Sequence, residues 1–183
     1  MKLVLIGIQG SGKSTQGNLL QTKLNVPFLA TGQIFREMAK EENETAEYIK
    51  KVMYAGELIS DEKVLEIVSE YLARAEYKNG YIIDGFPRTV KQAENFGDDI
   101  DYVVYLKVSD KEALSRISLR NDKARKDETT EAIARRIELF HKETEPVIDY
   151  FQEKNKLIEV DGERSIEEIH EQILKKLQIS DNG

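Results

Sequence analysis

Residues 7–15 read GIQGSGKST and match the phosphate-binding pattern G-x-x-x-x-G-K-[ST] in full. The segment stands between an apolar run and a stretch with helical character, which is where a loop must lie to hold an anion at a helix N-terminus. Gly10 and Gly12 let the backbone turn successive N–H groups toward a phosphate, Lys13 adds a point charge, and the Ser14 hydroxyl can reach a Mg²⁺ ion. Alone, the loop predicts a nucleoside triphosphate site and leaves the reaction open.

A second group of polar residues follows the apolar run at 81–83. Asp84 ends that predicted strand at its carboxyl edge, where open parallel sheets bind ligands and where a carboxylate can orient metal-bound water. Arg88 is directed toward the same crevice, since Gly85 permits a close approach of the backbone. Gln92 offers an amide donor and a carbonyl acceptor, the pair that an adenine edge needs. An ordinary turn with a solvent-facing Gln is the alternative.

Arginine is distributed unevenly along the chain. Nine of the 27 basic residues are Arg, and five of these nine fall in one short segment: Arg116, Arg120, Arg125, Arg135 and Arg136. The guanidinium group suits forked contacts with phosphate oxygens, so the segment is a candidate for binding a polyphosphate. A solvated helix face is the alternative.

Composition and charge exclude several classes of protein. The 183 residues suit one domain, and a net charge of -7 argues against a nucleic-acid or anionic-membrane surface. Because the chain has no Cys, disulfides, a thiolate nucleophile and a Cys-based zinc site are excluded, and a reducing cytoplasm is the compartment that fits. No apolar run approaches ~18 residues, so neither a signal peptide nor a membrane span is predicted.

Short apolar runs alternate with longer helical periods, a pattern typical of a parallel sheet covered by helices. Strands are predicted at residues 3–8, 26–29, 81–83, 102–108 and 157–160. Helices are predicted at residues 13–24, 32–40, 45–54, 61–75, 91–96, 111–119, 130–154 and 166–177. Two segments depart from this rhythm, the extra helices at 31–60 and the charged loop at 121–128, and both are candidates for moving parts.

Three helix starts carry capping signals. Ser165 with Glu168 predicts a capping box for the last helix. Asp110 and Thr31 are predicted to be the N-caps of the helices that follow them.

Together these motifs resemble the adenylate kinase family, in the form with a short lid, over essentially the whole chain. The family's phosphate loop, GxPGxGKGTQ, is similar to GIQGSGKSTQ here, with Gln9 for Pro and Ser14 for Gly. TGQIFR resembles the family's TGDxxR, but Gln33 replaces Asp, which leaves Arg36 without its usual neighbouring carboxylate. DGFPRTVKQA matches DGFPRTxxQA, GELISDE resembles the segment that closes over the acceptor base, and RKDE resembles the lid motif RxDD, with Glu128 for the last Asp. VDG, at residues 160–162, resembles the turn beside the donor adenine.

The resemblance implies an α/β fold: a P-loop domain over residues 1–183 with a parallel five-stranded sheet flanked by helices. It also implies a helical monophosphate-binding subdomain at 30–60 and a short lid at 121–128. The implied reaction is ATP plus AMP giving two ADP, with Mg²⁺ and no zinc. The implied protein is a cytoplasmic monomer whose partners are these small molecules, with neither nucleic acid nor membrane among them.

Roles for individual residues also come from the resemblance. It assigns ATP binding to Gly10, Ser11, Gly12, Lys13, Ser14, Thr15, Arg116, Arg120 and Arg164. It assigns AMP binding to Thr31, Gly32, Arg36, Glu57, Leu58, Ile59, Gly85, Arg88, Gln92, Arg125 and Arg136. It assigns catalysis to Lys13, Arg88, Arg120, Arg125 and Arg136. Mg²⁺ is assigned to Ser14, directly or through water, and to Asp84 through water.

Two alternatives remain open from the sequence. In one, the acceptor is CMP, UMP or dTMP. Thr89 and Gln92 favour AMP, because relatives acting on UMP or CMP usually have Asn after the Phe-Pro-Arg and lack the Gln. In the other, the chain is a P-loop ATPase or regulatory module. The set of Arg36, Arg88 and Gln92 argues against that, since an ATPase needs no monophosphate site.

Overall fold

The computed structural model of this chain describes residues 1–96, 99–119 and 127–179. Within these ranges five strands form one sheet: β1 Lys2–Ile6, β2 Phe28–Ala30, β3 Tyr81–Asp84, β4 Tyr102–Lys107 and β5 Leu157–Asp161. Every neighbouring pair is parallel, in the order β2-β3-β1-β4-β5. The predicted five-stranded parallel sheet is therefore confirmed, with strand ends displaced by one or two residues.

Helices surround this sheet. In the described part of the chain they are α1 Lys13–Leu24, α2 Thr31–Met38, α3 Glu44–Tyr54, α4 Asp61–Leu72, α5 Val90–Phe96, α6 Asp110–Ser118, α7 Thr130–Leu139, α8 Glu145–Glu153 and α9 Ile166–Lys176. Their order between the strands confirms the α/β class. No helix among the described residues is long and apolar enough to cross a bilayer.

Two predicted helices are wrong in extent. The helix predicted at 130–154 is divided into α7 and α8 by a π-helical turn, Phe140–Thr144. Pro146 lies in the first turn of α8, where it has no N–H to continue the ladder of hydrogen bonds from the preceding turn. The helix predicted at 61–75 ends at Leu72, and a 3₁₀ turn at Ala75–Tyr77 follows it.

The capping predictions for α9 and α6 have different outcomes. The capping box of α9 is confirmed, because the Ser165 hydroxyl accepts from the Glu168 N–H at 3.2 Å and the Glu168 carboxylate accepts from the Ser165 N–H at 3.0 Å. Asp110 as the N-cap of α6 is wrong. Ser109 occupies that position and accepts from the Glu112 N–H, so Asp110 is already helical and its charge favours the helix N-terminus.

Thr31 as the N-cap of α2 is also wrong. The helix begins at Thr31 itself, with Ala30 in the N-cap position and no side-chain cap. The Thr31 hydroxyl donates instead to the backbone carbonyl of Asp84, at 3.0 Å. This bond ties the start of α2 to the end of β3, so α2 begins beside the carboxyl edge of the sheet.

The sheet is apolar on both faces. In β1, Val4 and Ile6 pack into one buried cluster with residues of α3, α4 and α8, whereas Leu3 and Leu5 pack into a second cluster with residues of α1 and α9. Strands buried on both sides leave their carboxyl ends as the exposed edge, where ligands bind in folds of this type. The loops that follow β1 and β3 both lie at that edge.

The predicted subdomain and lid remain predictions. Helices α2, α3 and α4 lie between β2 and β3, where the sequence predicts the monophosphate-binding subdomain at 30–60. Most of the lid predicted at 121–128 lies outside the described residues, and only its last two residues, Asp127 and Glu128, are placed.

Candidate active site

The loop between β1 and α1 has a backbone that only glycine adopts without strain. Gly10 has φ 92°, in the left-handed region, and a Cβ there would come within 2.6 Å of the Ala113 carbonyl oxygen. Gly12, also at positive φ, is the N-cap of α1, and the first turn of that helix contains no acidic residue. The N-terminal N–H groups of α1 are therefore suited to an anion.

Lys13 lies folded over the same loop. Its ammonium group donates to the carbonyl oxygens of Gly7 and Ile8, at 2.7 and 3.0 Å, and contacts the Ser11 hydroxyl at 3.3 Å. These contacts hold a cation against the loop. The loop thus combines helix N–H groups with a positioned positive charge.

Ser14 and Asp84 bring two oxygen ligands together beside the phosphate loop. The Ser14 hydroxyl donates to a carboxylate oxygen of Asp84 at 3.0 Å. Asp84 ends β3, and its register partner Leu5 lies in β1, so the sheet itself places the carboxylate next to the loop. Hydroxyl and carboxylate oxygens suit Mg²⁺ or its bound water. Across the described ranges no group of three His, Cys, Asp or Glu side chains could hold a metal ion.

Three arginines and one buried aspartate form the opposite part of the site. Asp127, which is 5% exposed, accepts from Arg36 Nε at 3.1 Å and from Arg136 Nη2 at 2.7 Å. Arg136 also donates to the Met53 carbonyl at 2.9 Å. Burial alone would raise the pKa of Asp127, but the hydrogen bonds and charges of Arg136 and Arg36 outweigh it and hold that pKa below its ordinary value. Asp127 therefore acts as an anionic bridge between the two guanidinium groups.

Arg88 is the third cation of this part. Its Nε donates to the Gly85 carbonyl at 2.8 Å, and within the described residues no carboxylate pairs with it. Burial and the nearby charges of Arg136 and Arg36 lower the pKa of Arg88, although an arginine remains protonated. Asp127 bonds two of the three guanidinium groups and Arg88 has no carboxylate partner among the described residues, so this part of the site is locally positive and suited to a phosphate.

One cavity of about 1790 Å³ joins the two parts. Single small ligands usually fill roughly 300–1,000 Å³, so this cavity has room for two. The predicted site residues that line it are Gly10, Gly12, Lys13, Ser14, Thr15, Gly32, Arg36, Glu57, Leu58, Ile59, Asp84, Gly85, Arg88, Gln92 and Arg136.

Comparisons with known proteins test the family resemblance. The family described as adenylate kinase matches residues 5–156 of this chain. An adenylate kinase of Chelativorans sp. is 38% identical over 187 aligned positions, which cover 94% of this chain and 96% of that protein. The chain belongs to the adenylate kinase family.

Two further relatives show how adenylate kinases differ in length from this chain. The adenylate kinase of Caldicellulosiruptor bescii is 34% identical over 214 positions, covering 98% of this chain and all of that protein. Adenylate kinase 1 of Nostoc sp. is 36% identical over 175 positions, covering 92% and 94%. Since 214 aligned positions exceed the 183 residues of this chain, the C. bescii protein contains segments that are absent here.

Some residues assigned to nucleotide binding by the adenylate kinase resemblance do not line the cavity. Ser11 and Thr31 are fully buried behind its wall. Arg116 pairs with Glu112 and donates to the Gly162 carbonyl, and Arg164 pairs with Asp161, so both lie at the turn that follows β5. Arg120 and Arg125 lie outside the described residues. Their roles stay predictions.

Two cavity-lining residues that the resemblance assigns to AMP binding have partners that the sequence did not reveal. Glu57 lines the cavity, but its carboxylate is held by Arg135, with Nε to Oε1 at 2.7 Å and Nη2 to Oε2 at 3.3 Å. Arg36 does not lack a carboxylate: its Nε donates to Asp127 Oδ1 at 3.1 Å, and Glu128 lies 3.9 Å away. The carboxylate beside Arg36 therefore comes from the end of the predicted lid and not from position 33.

Two acidic residues at the site were missed. Asp127 and Asp61 received no individual role from the sequence, although Asp127 belongs to the quoted RKDE motif and Asp61 to the quoted GELISDE motif. The partner that Asp127 holds in α2 is 91 residues away, and the partner that Asp61 holds in α5 is 31 residues away. Sequence motifs relate residues that lie a few positions apart, so they do not reveal pairs at such separations.

Proposed function

We propose that this adenylate kinase transfers the γ-phosphoryl group of ATP to AMP, giving two ADP, with Mg²⁺ accompanying ATP. The observation that carries the proposal is the pairing, in one cavity, of a phosphate loop bearing Lys13 with a separate cluster of Arg36, Arg88 and Arg136. An ATPase would need the first part and has no use for the second.

The chemistry requires alignment and charge cancellation more than proton transfer. A nucleoside monophosphate arrives with its attacking oxygen already ionised, so no general base is needed. Two polyanions must instead be held in line against their mutual repulsion. Cations on both sides of the transferring group meet that requirement.

We assign the two parts of the cavity to the two nucleotides. The α1 N-terminus and Lys13 would hold the β- and γ-phosphates of ATP. Arg88 and Arg36 would hold the acceptor phosphate, since guanidinium groups bind phosphate through forked contacts. Arg136, fixed by Asp127, would stabilise the charge that spreads over the transferring group.

Ser14 and Asp84 are the residues that would hold the metal ion, Ser14 through its hydroxyl and Asp84 through bound water. Their 3.0 Å hydrogen bond shows that both oxygens reach one point beside the phosphate loop. When bound, Mg²⁺ neutralises charge on the β- and γ-phosphates. That zinc plays no part stays a prediction, as do the cytoplasmic location and the monomeric state.

Water must be kept from the transferring group, because it would otherwise accept the phosphoryl group. We propose that the lid at 121–128 excludes it and brings Arg125 to the site. The last part of that segment supports this assignment, since Asp127 is bonded to both Arg36 and Arg136. A movement of the lid end would therefore also move two of the acceptor-side guanidinium groups.

The test of this proposal is a panel of nucleoside monophosphates assayed with ATP and Mg²⁺. We expect rapid formation of ADP with AMP, slower reaction with CMP, UMP and dTMP, and almost none with ATP alone. Equal ADP formation without any monophosphate would indicate an ATPase. A higher kcat/KM for CMP, UMP or dTMP would identify a different acceptor.

Replacing Gln92 with Ala should raise the KM for AMP by about 10-fold, with a smaller change in kcat. The residue is 1% exposed and lines the cavity on the side that we assign to the acceptor. A lost hydrogen bond to the base is worth about 1–3 kcal/mol. Steady-state kinetics with AMP and UMP measure the effect, and Gln152→Ala, an exposed position on α8, is the matched control. An unchanged preference for AMP over UMP would show that the base is read elsewhere.

Replacing Asp84 with Asn should lower kcat by about 10-fold or more and raise the Mg²⁺ concentration needed for half-maximal rate, while AMP binding stays nearly unchanged. The reason is that the carboxylate orients metal-bound water and does not touch the acceptor. Rates measured over a range of Mg²⁺ concentrations, with calorimetric titration of AMP, check both parts. Asp149→Asn, an exposed carboxylate of α8, serves as the control. A large loss of AMP affinity in the Asp84 variant would place Asp84 in the acceptor site.

A further inference from the structure

The amide of Gln92 is held on both of its polar ends by the protein. Its Oε1 accepts from the backbone N–H of Arg88 at 2.8 Å, and its Nε2 donates to a carboxylate oxygen of Asp61 at 2.8 Å. The two partners come from different elements, since Arg88 precedes α5 and Asp61 is the first residue of α4.

These partners allow the amide one orientation. A backbone N–H can only donate and a carboxylate can only accept, so the oxygen of Gln92 must face Arg88 and the nitrogen must face Asp61. The reversed amide would place N–H against N–H at Arg88 and oxygen against oxygen at Asp61. The two partners therefore fix which end of the amide is oxygen and which is nitrogen.

Asp61 is itself fixed. The same carboxylate oxygen accepts from the Thr89 hydroxyl at 2.8 Å, and that hydroxyl in turn accepts from the Gln92 backbone N–H at 3.2 Å. The position of Asp61 in the first turn of α4 also stabilises its negative charge through the helix dipole. Asp61, Thr89 and Gln92 thus form a closed network that joins the starts of α4 and α5.

The amide keeps one N–H and one oxygen lone pair for a ligand. A primary amide has two N–H donors and two lone pairs, and the protein takes one of each. Gln92 lines the cavity, and its two held atoms fix which end of the amide offers the remaining donor and which the remaining acceptor. A 6-aminopurine presents the complementary order, an amino donor beside a ring-nitrogen acceptor. A 6-oxopurine presents the reverse, a carbonyl acceptor beside a ring N–H.

We propose that Asp61 is a positioning residue that makes the acceptor site select 6-aminopurine over 6-oxopurine monophosphates. It acts through Gln92: by holding Nε2, it prevents the amide from turning over to meet a 6-oxo base. The inference rests on the proposed function, in which AMP is the acceptor and Gln92 faces its base. It adds that the choice between an amino and an oxo group is made by a carboxylate on α4.

The test compares AMP with IMP, which differ at this edge of the purine, as acceptors for the full chain with ATP and Mg²⁺. The Asp61→Ala variant should lower the ratio of kcat/KM for AMP to that for IMP by about 10-fold, mainly through a higher KM for AMP and a lower one for IMP. Asp61→Asn should retain most of the ratio, because the Asn carbonyl can still accept from both Thr89 and Gln92. Glu66→Ala is the matched control, since Glu66 is another acid of α4 but pairs with Lys63.

Thr89→Val provides a second, milder variant if Asp61→Ala does not fold, as judged by circular dichroism. It removes the hydroxyl that fixes Asp61 and should lower the ratio by about 3-fold. A ratio that stays unchanged in these variants, whether or not both kcat/KM values fall, would show a merely structural role and overturn the proposal.

Gln92→Ala separates this inference from the function on which it rests. A changed ratio of AMP to IMP in Gln92→Ala, together with an unchanged ratio in Asp61→Ala and Thr89→Val, would overturn the role of Asp61 alone. An unchanged ratio in Gln92→Ala would overturn base reading by Gln92 and the role of Asp61 with it.

Discussion

Replacing Lys13 with Ala is expected to reduce the kcat/KM of phosphoryl transfer by at least ~10³ while the chain stays folded. The ammonium group lies against the phosphate loop, within hydrogen-bonding distance of the Gly7 and Ile8 carbonyl oxygens. A cation fixed there stabilises negative charge as it develops on the transferring group, and it needs no reorganisation at the moment of reaction. Loss of one such contact costs several kcal/mol in the transition state.

The measurement is steady-state kinetics with ATP and AMP, with circular dichroism as a check on folding. Lys23→Ala removes the same charge from the last turn of α1, away from the cavity, and should leave turnover near its original value. Lys13→Arg keeps a cation but changes its shape, so we expect it to restore only part of the rate. A folded Lys13→Ala protein with near-normal turnover would contradict the assignment of the donor site to this loop.

Replacing Arg88 with Ala is expected to lower kcat/KM by at least ~10² for every monophosphate acceptor, and by similar factors for each. Phosphate is common to all of them, and a forked, charge-assisted contact to it is worth about 3 kcal/mol or more. Unfolding temperature should not fall by more than a few degrees. Burial, together with repulsion from Arg136 and Arg36, lowers the pKa of Arg88 and so disfavours its charge in the fold.

Kinetics with AMP, CMP and UMP, combined with thermal unfolding, check both parts of the Arg88 prediction. Arg74→Ala is the matched control, because Arg74 stacks on Tyr71, with 3.9 Å between its guanidinium carbon and the ring centroid, and does not line the cavity. Arg88→Lys should recover less than half of the lost binding energy, since an ammonium group cannot make the forked contact. A loss confined to AMP would mean that Arg88 reads the base and not the phosphate.

Short-range patterns were enough to predict much of this fold and part of its site. The order of strands and helices was predictable because buried parallel strands are continuous apolar runs and the helices between them keep their own period. The phosphate loop and the Ser165 capping box were also predictable, since each depends on residues within a few positions of one another. The prediction failed where two adjacent residues both suit an N-cap. Ser109, and not Asp110, caps α6.

The partners of the site residues were decided by tertiary structure. That Asp127 bridges Arg36 and Arg136, and that Asp61 fixes the amide of Gln92, depends on helices from distant parts of the chain meeting at one edge of the sheet. Charged side chains are long and can reach several partners, so a sequence with 34 acidic and 27 basic residues permits many pairings. Packing of the apolar faces selects one arrangement of the elements, and that arrangement determines which carboxylate lies within hydrogen-bonding distance of which cation or amide.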